Sequence, residues 1–129
     1  MTPDLTTAFA AFPAISQAHA WAMRSLILHT TADMPELGGL NECLKWGQPA
    51  YLARKPRIGT TLRIGAHATA LALYLPCTTS LVAHWRETFP DQRFSKNRAA
   101  LFAFEKPLPA DVIGLMVRAA LRYHLAQRS

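Results

Sequence analysis

The octapeptide Leu44-Lys45-Trp46-Gly47-Gln48-Pro49-Ala50-Tyr51 constrains this chain most strongly. Its apolar period changes part-way, from a helical spacing before Trp46 to an extended one after Gly47. Two large aromatics, a glycine and a proline meet at the change. Such a segment is costly on a surface unless it packs or binds. The expected arrangement is a helix-to-strand corner, with Trp46 capping the core and Pro49 opening an edge strand, where its missing N–H does no harm.

The rest of the chain follows from periodicity. Ser16 is a candidate N-cap for a helix to about Thr31, with Ala20, Met23 and Ile27 on one face and Trp21 and Leu28 beside it. A short second helix is expected over Glu36 to Lys45, since Leu37, Leu40 and Leu44 fall on one helical face, although Gly38-Gly39 weakens it by about 1 kcal/mol per glycine. Strands are expected over Pro49–Arg54, Ile58–Ile64 and His67–Leu75. In the last of these, Leu71, Leu73 and Leu75 alternate with Ala70, Ala72 and Tyr74. Gly65-Ala66 reads as a hairpin connection. A helix over Thr79–Phe89 is closed by Pro90, a strand over Arg98–Phe104 follows, and a final helix opens at Pro109 with Val112, Leu115, Met116, Ala119 and Tyr123 as its apolar stripe. The segregation of helices and strands predicts an α+β fold. About four antiparallel strands would be covered by helices on one face, with the other face open to water or a ligand.

At 129 residues the chain is one domain, with residues 1–15 as an N-terminal extension and a core over about 16–126. Ala8–Ala14 carries Phe9 and Phe12, which dock on the domain's own core or form a surface for a two-fold homodimer. No basic leader region opens the sequence, and Arg, His or Pro interrupts every long apolar run, so a cytoplasmic protein with no membrane partner is expected. Cys43 and Cys77 are expected as reduced core residues of such a protein. Fourteen Lys and Arg against eight Asp and Glu give a net charge of +6. The cations are scattered rather than arranged in a stripe, which argues against specific nucleic-acid binding and for small anionic partners.

No nucleophile–base pair, phosphate loop or metal-ligand cluster is legible, so the chain reads as non-enzymatic, with no catalytic residue, no cofactor and no metal site. His19, His29, His67, His84 and His124 lack ligand spacing. The candidate ligand-binding residues are Trp46 and Tyr51 as aromatic walls, Gln48 as a hydrogen-bonding amide, and Arg63, Lys96 and Arg98 as cations. Arg98 offers a bidentate fork for a carboxylate or phosphate.

The Trp-Gly-x-Pro-x-Tyr core, the helix and strands around it, Phe94-Ser95-Lys96-Asn97-Arg98 leading into Leu101-Phe102-Ala103-Phe104, and Pro107-Leu108-Pro109 before the last helix together resemble the YdhG-like family, a domain of unknown function. The resemblance runs from about Ala20 to Leu125. It implies a compact α+β fold with an antiparallel sheet. Because one branch of the family is described as a frataxin-like iron chaperone, it also implies an alternative function in iron binding. Asp33, Glu36 and Glu42 would then be the carboxylate ligands. The basic balance of the chain favours an anionic ligand over that alternative. A protein-interaction subunit without a ligand is a third expectation.

Overall fold

The computed structural model describes residues 1–128. Thr2 accepts a hydrogen bond from the Leu5 N–H at 3.3 Å and caps α1 (Pro3–Ala10). A short 3-10 turn over Ala14–Ser16 leads into α2 (Gln17–Thr31), whose buried face is Ala20, Met23 and Ile27, as its periodicity predicts. Then follow β1 (Leu40–Lys45), β2 (Gln48–Ala53), β3 (Leu62–Ala66), β4 (Ala70–Tyr74), α3 (Leu81–Thr88), β5 (Arg93–Ser95), β6 (Ala99–Ala103), α4 (Ala110–Leu121) and α5 (Tyr123–Arg128). The strands form one six-stranded sheet in the order β1-β2-β3-β4-β6-β5, antiparallel at every pairing. The class is α+β, with two more strands than expected.

Alternation assigns the two faces of the sheet. Tyr51, Ala53, Leu62, Ile64, Leu71, Leu73, Ala100 and Phe102 pack against buried residues of α2 and α4 in one continuous core. Ala70, Ala72, Ala99 and Leu101 form a second, small cluster, with Tyr74 packed against it. Phe9 of α1 is fully buried, stacks on Trp21 at 4.4 Å and meets Phe12 edge-on at 5.9 Å. The N-terminal aromatics thus dock on the domain's own core.

Several expectations are corrected. Residues 40–45 form an edge strand, not a helix: Gly38 and Gly39 adopt φ of +65° and +101°, which no helix tolerates, and Leu37 is buried from a separate 3-10 turn. The helical spacing of Leu37, Leu40 and Leu44 is a coincidence of two elements. Gly65-Ala66 belongs to β3; the hairpin closes through residues 67–69, with the His67 N–H donating to the Ala70 carbonyl at 2.8 Å. On α4 the buried stripe is Ile113, Met116, Val117, Ala120 and Leu121, and Leu115 is exposed. Most of this helix is apolar, so several stripes compete and only packing selects one. Cys77 is exposed and Cys43 half-buried, both as free thiols, so neither is a core residue.

Trp46 does not cap the core. It is 88% exposed and, with Gly47, forms the two-residue turn between β1 and β2, where Lys45 pairs with Gln48. Both turn residues are left-handed, at φ of 56° and 73°. That is the geometry two-residue hairpins require, and Asn or Gly normally supplies it at the first position. A residue other than Gly, Asn or Asp costs about 1–2 kcal/mol there.

Tyr51 is wholly buried on the helix-covered face, where its hydroxyl donates to Glu42 Oε2 at 2.6 Å. Arg24 of α2 grips the same carboxylate with Nε at 2.6 Å and Nη2 at 3.0 Å. Glu42 and Tyr51 are direct cross-strand partners, so this triad ties α2 to the edge hairpin. Burial pushes the Glu42 carboxyl up, but the hydrogen bonds from Arg24 and Tyr51 outweigh it and hold its pKa below the usual carboxylate value. Burial first, and then the neighbouring Glu42, push the Tyr51 phenol well up.

Glu42→Ala strands a buried hydroxyl and an unpaired guanidinium and should cost about 2 kcal/mol in urea denaturation. Because the folded pKa of Glu42 is depressed, its contribution is complete above the unfolded value of about 4.3 and is lost as pH falls through the folded one. The acid limb of the stability curve should therefore flatten in Glu42→Gln; an unchanged limb would assign the acid sensitivity elsewhere. Trp46→Asn should raise stability by about 1 kcal/mol by relieving the turn. A loss of stability would mean that the indole packs in solution.

Candidate functional site

The helix-free face of the sheet is built of small residues, and its longer side chains stand out against them. Arg63 lies on this face because Leu62 and Ile64 point inward. Its partner across the β3–β4 ladder is Tyr74, and its guanidinium sits 5.4 Å from the centroid of that ring. From β2, the Gln48 amide oxygen accepts a hydrogen bond from Arg63 Nη1 at 2.8 Å. Gly65 makes this closure feasible: a β-carbon there would come within 2.6 Å of both Gln48 Nε2 and Tyr74 Cε2. Arg63 is thus held between three strands, with most of its five donors left free.

A concavity of about 350 Å³ crosses this face, lined by Trp46, Arg63, Leu75, Pro76, Cys77, Thr78 and Arg98. It runs from the β1–β2 turn past β3 to the segment leaving β4 and the residue before β6. The Arg98 carbonyl accepts from the Leu75 N–H at 2.7 Å, which fixes that end of the concavity. No acidic side chain lines it.

Of the six residues singled out from the sequence, Trp46, Arg63 and Arg98 line this concavity directly, and Gln48 braces Arg63 from beneath. Two fall outside it. Tyr51 faces the helices, because strand alternation puts it on the opposite side from Gln48, and its hydroxyl is engaged by Glu42. Lys96 is exposed at φ of 50° in the β5–β6 connection and is not part of the lining. Leu75, Pro76, Cys77 and Thr78 are additions. Nothing in their local sequence marks them; strand order alone brings them opposite Trp46.

The three carboxylates considered for iron are engaged or apart. Glu42 is held by Arg24 and Tyr51, and Glu36 pairs with Arg122 Nε at 2.8 Å. Among the described residues no three or more His, Cys, Asp or Glu side chains are grouped to hold a metal ion. Among the same residues no helix is long and apolar enough to cross a membrane.

No protein-family model matches the chain, and no curated protein does. Among solved structures it is similar to the crystal structure of a DUF1801-family protein, YdhG of Bacillus subtilis, with a TM-score of 0.62 over 89% of this chain and 86% of that one. Identity is 10%, so the likeness is one of fold. The helices on one face and the antiparallel sheet match the expectation drawn from the Trp-Gly-x-Pro-x-Tyr segment: the chain has a YdhG-like, DUF1801-type fold.

Proposed function

We propose that the protein is a non-enzymatic binding module for a small anionic ligand, seated in the concavity between Trp46 and Arg98. The observation that carries this reading is the pair of guanidiniums, Arg63 and Arg98, lining one hollow in which no carboxylate answers them. Arg63 is oriented by Gln48 and Tyr74 rather than by an acid, so its charge stays available. A guanidinium fork meets carboxylate or phosphate oxygens with two parallel hydrogen bonds. Thr78 adds a hydroxyl, and Trp46, Leu75 and Pro76 add apolar walls, the mixture that small-ligand sites favour. The free thiol of Cys77, exposed at the rim, suits a reducing cytoplasm. Iron binding by Asp33, Glu36 and Glu42 has less behind it, since Glu36 and Glu42 are already committed to arginines.

The reading is tested by thermal shift with small carboxylates and phosphate esters at millimolar concentration. A ligand at a hundred times its Kd should stabilise the fold by about 2.7 kcal/mol. Arg98→Ala should weaken binding by about 1.5–3 kcal/mol while leaving the unliganded Tm unchanged, because Arg98 is exposed. Absence of any stabilising anion from the whole panel would sink the reading.

A further inference from the structure

The position of Trp46 is not accounted for by anything the fold needs. Its backbone is left-handed, its side chain is 88% exposed, and it stands where Asn would make the better turn. The other two tryptophans behave as structural residues: Trp85 is buried, and Trp21 stacks on Phe9. A strained turn that displays an indole to solvent is explained by a partner for the ring face.

We propose that the Trp46 concavity takes a nucleoside monophosphate, the base stacked on the indole and the phosphate held by Arg63 and Arg98. This deepens the anion-binding reading and rests on it. The stacking half follows from the ring: nucleobases present flat π faces, and base–aromatic stacking contributes about 1–3 kcal/mol per base. The phosphate half follows from charge. Two guanidiniums line the hollow and no described carboxylate pairs with either; the described ion pairs are Arg24–Glu42 and Arg122–Glu36. A phosphate monoester carries about −1.5 to −2 at neutral pH, enough to answer both cations, whereas one carboxylate answers one. The third argument is size. A hollow of about 350 Å³ is at the small end of ligand sites and suits a single nucleotide rather than a strand.

The experiment is calorimetric titration of the full chain with each of the four ribonucleoside monophosphates, the matching nucleosides, ribose 5-phosphate and a 5′-phosphorylated single-stranded trinucleotide. The same series is run on Trp46→Asn and Arg98→Ala. At least one monophosphate should bind about tenfold tighter than both its nucleoside and ribose 5-phosphate. Trp46→Asn should abolish that advantage, and Arg98→Ala should weaken both phosphates. Folding does not confound the comparison, since the turn favours Asn, and a thermal melt of each variant checks it. If ribose 5-phosphate binds as tightly as every nucleotide, or Trp46→Asn leaves nucleotide affinity intact, the ligand class is wrong and the anion reading survives. If the trinucleotide binds more than tenfold tighter than every mononucleotide, the proposal is overturned in favour of a strand. If no anion binds at all, both readings fall together.

Discussion

The structure depends on the alternation of large and small side chains along its central strands. Leu71 and Leu73 on β4, Leu62 and Ile64 on β3, and Phe102 on β6 are buried against α2 and α4. Each such Leu, Ile or Phe contributes about 1.5–3 kcal/mol when removed from water. The residues between them are Ala70, Ala72, Arg63, Gly65, Ala99 and Leu101, most of which have little apolar area to hide. A slip of one residue in any pairing would exchange the two sets and expose the leucines, so register and face are set together. The helices can cover only the side that carries the large residues. The opposite side is left to whatever its few long side chains build.

What they build is polar and basic. The missing side chain at Gly65 lets Gln48 and Tyr74 close over it, and between them Arg63 is braced without an acidic partner. Two other arginines are held in ion pairs, Arg24 with Glu42 and Arg122 with Glu36. Arg24 serves the fold, joining α2 to the edge hairpin through Glu42 and the buried Tyr51 hydroxyl. Arg63 and Arg98 instead face a hollow that the exposed indole of Trp46 also lines. The hairpin therefore has two unlike faces: Tyr51 looks inward to the helices, while Gln48, three residues earlier, looks outward to Arg63.

Much of the fold was legible in one dimension. The α2 face of Ala20, Met23 and Ile27, the Leu/Ala alternation of β4 and the helix before Pro90 all follow from periodicity, because each element buries one face against a single core. The failures have equally local reasons. Residues 36–45 carry leucines at helical spacing, but the left-handed glycines at 38 and 39 divide them between a 3-10 turn and a strand. β5 has three residues, too few for any period, and exists because β6 offers it an edge. Of the stripe expected on α4 only Leu115 turns to solvent; the core also takes Ile113, Val117, Ala120 and Leu121, because that helix is apolar on more than one side.

Composition and period act between neighbouring residues, and they suffice to give the class of fold and the two-sidedness of the sheet. It takes the packed fold to establish that Trp46 is a turn residue in water and not a cap, that Tyr51 belongs to the interior, and that Arg63 and Arg98 share a hollow while Lys96 stays apart. The last of these facts depends on strand order, which is set by the packing of elements distant in the chain; no local pattern encodes the order β1-β2-β3-β4-β6-β5 that places residue 46 across from residue 98.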